Sequence, residues 1–527
     1  MASWPFWLGL VIGLVFTTFQ IIGFDLSMYP GDFGDGRFNN FILEHGHRFL
    51  TGQESSLWEA HFMYPEAQVV TFSDNLIGTV PLYSLWRALG CDIETSFQLW
   101  YILVTVFNFT ACYFFLKWLF HNRYAAVLGA FVFAFSLTLQ TQVTHAQTFP
   151  RFFIPLAILF LLLYHKALHP KYLFAAFLML VWQFYSGIYL GFMLSVPFGL
   201  LLIWILYQQR IELRHSLRNK KWLLQSALAI VVNFALLLVL MVPYYLRSLQ
   251  FPGTPYCDVV GTIPTIRSFF CSKYGTFFWN SLNHVTKDYP TYYDHQLFPG
   301  IVTLLAFMAL VITFIFFRKR LRLETHLQLF WPLVGVGLVT MLLFFRYNIY
   351  SLYYFLYHVP GFRSMRALTR IINVEVVFFA LAVALVSYLL LRKWKKYAAL
   401  LFVVFLGALA IDNFLIKGEA YTVRKHDVQI RTAALTKMMT GIPKGSIVAY
   451  EPVDDRVPMY FHQLDAMLSA QQLGLQCINA YTGTSPSTFS PYWWNPNPEN
   501  RKLWLDAVGA QPDTVYVISE SIGITPK

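Results

Sequence analysis

The chain has 527 residues, 57% of them hydrophobic and only 13% charged, with a mean hydropathy of +0.50. This composition excludes an ordinary soluble protein and indicates a polytopic membrane protein. The net charge of +12 does not point to nucleic acid: the basic residues cluster in short loops between apolar segments, with no zinc-type Cys/His cluster, phosphate-cradling Gly-Lys-Ser loop or nucleic-acid module.

Eleven apolar segments read as spans, in chain order Trp4–Phe24, Ser96–Phe120, Tyr124–Thr141, Phe152–Tyr164, Tyr172–Ser186, Ile188–Tyr207, Trp222–Leu246, Phe298–Phe317, Leu327–Phe345, Ile371–Leu391 and Tyr397–Ile416. The first has no basic residue before it and no small-residue cleavage site after it, so it reads as a span and not as a cleaved signal. With the N-terminus cytoplasmic, the inner loops hold sixteen Lys or Arg against Glu212 and Glu324, a strong positive-inside bias. An odd span count then places the C-terminus outside. The segment Asn75–Gly90 carries Pro81 and is short, so it reads as an interfacial or re-entrant helix within one outer loop, Asp25–Thr95. The expected fold is an α-helical polytopic membrane protein of about eleven transmembrane helices (residues 1–416) with a small α/β extracytoplasmic C-terminal domain (residues 417–527). In the tail, Ser446–Pro452 and Thr514–Ser519 look like strands; Val428–Met439, Gln463–Leu475 and Glu499–Val508 look like helices. Cys257 and Cys271 share one outer loop, and spacing leaves their pairing open. The single glycosylation sequon, Asn108-Phe109-Thr110, falls inside a predicted span where it could not be used, and the lack of others fits a bacterial source.

The outer loop after the first span contains Gly31-Asp32-Phe33-Gly34-Asp35-Gly36-Arg37, followed by Phe38, Phe41, Ile42 and Phe49 at roughly helical spacing. Asp35 therefore stands where a glycine-rich turn meets a helix. A carboxylate there has three roles open to it: helix cap, metal ligand or general base. Asp74 lies in the same loop, together with Glu44, His45, His47 and His61. His145, with Gln147, lies at the outer end of the third span, where a structural histidine is the simpler reading. Arg363, Arg366 and Arg370 are three and four apart, so on a helix they share one face. They read either as an interfacial anchor or as a phosphate site. Glu375 lies one turn beyond and reads as the partner of Arg370 or Arg366. Asp412 reads as snorkelling from the last span. Trp493 and Trp494 read as a tail-domain anchor or as a platform for a sugar.

Asp35-Gly36-Arg37-Phe38, with a helix ending in Phe49-Leu50-Thr51-Gly52, resembles the first outer loop of GT-C superfamily glycosyltransferases, and Val80-Pro81-Leu82-Tyr83 with Leu89-Gly90 is similar to the stretch that follows it there. The resemblance covers roughly the first 150 residues and the general plan, and extends to uncharacterised bacterial membrane proteins of this class. It implies that Asp35 is the catalytic aspartate. Gly36 departs from the family's usual Glu, which leaves Asp32 and Asp74 as carboxylates for a divalent cation, Mg or Mn. It further implies a bacterial inner-membrane enzyme moving a sugar from a polyprenyl-phosphate donor to an extracytoplasmic glycan, lipid or protein. On this reading Asp35 and Asp32 do the chemistry, and Asp74, His145, Arg363, Arg366 and Arg370 bind substrate. The rivals are a transporter or flippase of a lipid-linked saccharide and a non-catalytic envelope-assembly protein.

Overall fold

The structure is a computed structural model that describes residues 3–140, 142–251, 253–319, 324, 327–416, 422–453 and 456–522. Thr141 at the end of the third predicted span, Arg320 and Arg322 of one basic loop, and the Lys417 junction lie outside the described residues. Among the described residues, seven helices are long and apolar enough to cross a membrane: Trp4–Ile22, Ile93–Phe120, Arg123–Gln140, Ala146–Ala167, Ile188–Gln208, Lys220–Ser248 and Leu368–Lys393. Ile301–Phe317 and Phe330–Leu343 are shorter apolar helices, and Pro170–Ser186 and Ala398–Asp412 stand at the fifth and eleventh predicted spans. At 1.5 Å per residue these four fall short of the ~30 Å apolar core.

Small residues set the centre of the bundle. Ala125, Ala126, Gly129, Ala130 and Ala134 on one helix and Ala380, Ala382 and Ala384 on another are all buried. A Cβ on Gly129 would lie 2.7 Å from the Ala380 carbonyl oxygen, so the backbones approach closely there. The Lys220–Ser248 helix instead exposes Leu224, Leu228, Val231, Phe234 and Val239, the surface of a helix facing lipid.

The segment Asn75–Gly90 forms a 3-10 turn, Ile77–Thr79, and a helix, Val80–Ala88, about 14 Å long and too short to cross. It packs on the Asp35–Leu50 helix: Val80 sits over Gly46, and Tyr83 and Arg87 bind Glu44 at 2.8 Å each. Glu44 is thus a structural ion-pair partner. His45 bonds the Leu57 carbonyl and His61 bonds Glu54.

The tail folds as a three-stranded parallel sheet in the order Gln476–Cys477, Ile447–Tyr450, Val515–Ile518. Lys425–Met439, Met459–Leu473 and Pro498–Ala507 are its helices. The short strand Gln476–Cys477 is absent from the sequence reading, because two residues give no alternation to read. The tail packs on the first outer loop. Thr422–Arg424 pairs antiparallel with Met28–Pro30, and Asp465 forms buried ion pairs with Arg431 and, at 2.7 Å, with Arg37. Cys257 and Cys271 are both free, one exposed and the other buried. Asp412 does not snorkel: it accepts bonds from the Ile301 and Val302 amides at 3.0 and 2.9 Å and caps that helix.

Candidate active site

The turn before the Asp35–Leu50 helix is built by glycine and Asp32. Gly31 has φ +108°, and a Cβ there would lie 2.8 Å from the Gly36 Cα, so only glycine permits this crossing. The Gly34 and Gly36 amides donate to Asp32 Oδ1 at 3.1 and 3.0 Å. Asp32 therefore satisfies the helix N-terminus, and the cap reading belongs to it and not to Asp35. Burial pushes the Asp32 carboxyl up, with Asp35 adding to the shift and these amide bonds and His145 opposing it.

Asp35, the first helical residue, is left free to face outward. Its side chain is 34% exposed. His145 Nδ1 lies 3.0 Å from Oδ2, and the Tyr481 hydroxyl donates to Oδ1 at 2.6 Å. Burial would raise the Asp35 carboxyl, but His145, Tyr481 and the field of Arg370 outweigh it and hold it at about 2. Burial and the adjacent Asp35 charge push the Tyr481 hydroxyl up, so it remains a donor. An Nδ1–H given to the carboxylate leaves His145 Nε2 as an acceptor. That ring is 27% exposed, and Nε2 has no protein partner among the described residues. Burial lowers the Lys273 ammonium to about 8, against the opposing charges of Asp294 and Asp32.

Asp74 is placed differently. Its Oδ1 accepts from the Ile188 and Asn75 amides at 2.6 and 2.9 Å, which ties the loop to the start of the Ile188–Gln208 helix. Burial raises its carboxyl to about 6, against the pull of those amides and Arg370. The fold therefore holds this proton more tightly than the unfolded chain does. The stability this contributes is full below about pH 4 and is lost as pH rises through about 6. Asp74→Asn should flatten that part of the melting-temperature profile; a variant profile parallel to wild type would exclude Asp74 as its source.

The three arginines do not share a helical face. Their segment is two 3-10 turns, Phe362–Ser364 and Leu368–Ile371, joined by extended residues, and this breaks the three-and-four spacing. Arg370 stacks over the Tyr189 ring at 5.2 Å, and its field reaches Asp35 and Asp74. The Arg366 amide bonds the Tyr189 hydroxyl, and its guanidinium lies against Gly483, whose amide bonds Ser73. Arg363 packs on Gly253 and over the Tyr357 ring, away from the other two. Asp74 Oδ2, Gln147 Oε1 and Arg370 Nε are buried without hydrogen-bond partners among the described residues.

The expected cation site is not assembled. Asp32 and Asp74 each commit Oδ1 to backbone amides, and no group of three His, Cys, Asp or Glu among the described residues is placed to hold a metal ion.

Tyr481 is the site residue that sequence reasoning missed; Trp493, read from the sequence as an anchor or a sugar platform, packs on it at 5.5 Å. A signal was available: Ala480–Thr484 is a polar loop at the C-terminal end of a parallel strand, the edge where α/β sheets place ligands.

No family model and no curated protein matches the chain. Among solved structures it is similar to the apo crystal structure of the Archaeoglobus fulgidus oligosaccharyltransferase, at 12% identity and a TM-score of 0.46, over 96% of this chain and 68% of that one.

Proposed function

We propose that this protein is a GT-C-type membrane glycosyltransferase that moves a sugar from a polyprenyl-phosphate donor to a cell-envelope acceptor at Asp35. The observation that carries this reading is the partly open Asp35 carboxylate held between His145 and Tyr481, with Arg370 and Arg366 gathered around Tyr189 beside it. A carboxylate held at about 2 is a weak base, and both its oxygens already accept strong bonds. Asp35 therefore orients His145, and His145 Nε2 takes the acceptor's hydroxyl proton. The acceptor oxygen then bonds to the anomeric carbon. The carbon–oxygen bond to phosphate breaks, and the polyprenyl phosphate leaves with the electron pair and with inversion. Arg370 and Arg366 stabilise the leaving charge, bidentate where a guanidinium meets two phosphate oxygens. Nucleotide sugars are made in the cytoplasm, so a site outside the bacterial inner membrane calls for a lipid-borne donor.

The test uses purified protein in liposomes with a labelled polyprenyl-phosphate sugar and an envelope extract as acceptor. Label should pass to the acceptor as polyprenyl phosphate is released. Label that crosses the bilayer with its glycosidic bond intact would replace the enzyme with a flippase.

Arg370→Ala should weaken donor binding by roughly ten- to a hundredfold, the loss of a charge-assisted contact of ~1.5–3 kcal/mol, while Arg363→Ala leaves affinity unchanged. Equal losses in both variants would argue for a general surface field. Cysteines placed at the exposed Gln53 and Lys444 should both react with an impermeant reagent from the periplasmic side. Reaction from the cytoplasmic side would invert the topology and refute the lipid-borne donor.

A further inference from the structure

A second cavity lies in the membrane-spanning part, formed by the Ile301–Ile312 and Phe330–Leu343 helices, the Ile266–Phe270 turn and the start of the Ile372–Lys393 helix. Its volume is about 420 Å³, within the range of small-molecule sites. Its walls are apolar, with Phe269, Leu304, Phe307, Phe344 and Phe379 among them, and Glu375 is the one charged residue in the lining. Glu375 is 1% exposed, and its Oε2 has no hydrogen-bond partner among the described residues. The expected pairing with Arg370 or Arg366 is not made: Arg370 faces Tyr189 and Arg366 faces Gly483. A carboxyl buried in a membrane protein without a partner marks a ligand or ion site. Of the lining residues, Ile266, Phe270, Met308 and Ile312 are exposed and apolar, and the lining shares no residue with the Asp35 site.

We infer that this cavity binds a neutral single-chain lipid alcohol, inserted hydroxyl-first, with the hydroxyl on Glu375 and the chain running out to the bilayer. A hydroxyl both donates and accepts, so it satisfies the carboxyl in either protonation state. A phosphate would place an anion among apolar walls that offer it no cation, which sets this ligand apart from the proposed sugar donor. An ammonium would require two desolvated ions in an apolar cavity, a cost its pairing need not recover. A diacyl lipid would bring a large polar headgroup to a lining with one charged residue and otherwise apolar walls.

The test is photolabelling of the purified protein in nanodiscs with a diazirine-bearing C16 alcohol, mapped by mass spectrometry. Label is expected on the peptides that hold Phe269–Phe270 and Phe344–Phe345. Unlabelled alcohol should compete at least tenfold better than its methyl ether or the C16 amine. Glu375→Leu should abolish that preference. Met308→Trp, which fills the cavity and leaves Glu375 in place, should block labelling in a protein that still elutes as a single species. Equal competition by alcohol and ether, preference for the amine, label confined to other peptides, or wild-type labelling of Met308→Trp would each overturn the assignment. The readout is binding, so its failure is independent of sugar transfer.

Discussion

Asp35→Asn should lower turnover by ~10²- to 10⁴-fold and leave thermal stability almost unchanged. Stability holds because Asp32, not Asp35, occupies the helix-capping amides. The Asn carbonyl still accepts from Tyr481, and its amide nitrogen then faces His145 Nδ1. Two donors cannot face each other, so the imidazole moves its proton to Nε2. That tautomer presents N–H to the acceptor hydroxyl where a proton acceptor is needed, the failure known for orienting aspartates in Asp–His pairs. His145→Gln should produce a loss of similar size, and combining the two should add little, because the residues act as a unit. At Asp32 the order reverses. Asp32→Asn keeps the cap, whereas Asp32→Ala costs ~1 kcal/mol of stability. Transfer assays with melting curves on the same preparations measure both effects. Full transfer by Asp35→Asn would remove Asp35 from the mechanism.

Asp465→Ala should give the largest loss of stability, ~3–5 kcal/mol. Asp465 is buried and is the carboxylate between Arg37, on the site helix, and Arg431, in the tail. Its removal takes the ion-pair carboxylate away from two buried guanidinium groups, and the cost comes mostly from the charges that lose that partner. Asp465→Asn keeps the hydrogen-bond acceptor and should cost less. The loss should also reach the chemistry. Arg37 lies two residues from Asp35, and Tyr481 comes from the same tail as Asp465, so loosening that contact moves the hydroxyl off the carboxylate. Thermal melting and protease sensitivity of the tail report the first effect, and turnover of the folded fraction reports the second. A protein that melts and resists protease like wild type would show that the triad is not holding the tail.

The chain by itself indicated the membrane character, the apolar segments, the short helix within Asn75–Gly90 and the strands and helices of the tail. Each rests on local information: run length against bilayer thickness, positive-inside charge, and the two- and 3.6-residue periods. It also drew attention to Asp35, because a glycine-rich turn opening an amphipathic helix is visible in the order of residues. The roles within that turn were decided by the tertiary structure. Which of Asp32 and Asp35 caps the helix depends on the path that Gly31 takes past Gly36. The arginines separated because tertiary packing broke their segment into two 3-10 turns, and helical spacing holds only inside a helix. Tyr481, 446 residues from Asp35, was beyond any reading of the chain in order, because only the tail's docking on the first outer loop brings its hydroxyl to the carboxylate. The same holds for Glu375: its place in the sequence suggested an ion pair, and the packing of four elements around it left its Oε2 without a hydrogen-bond partner among the described residues.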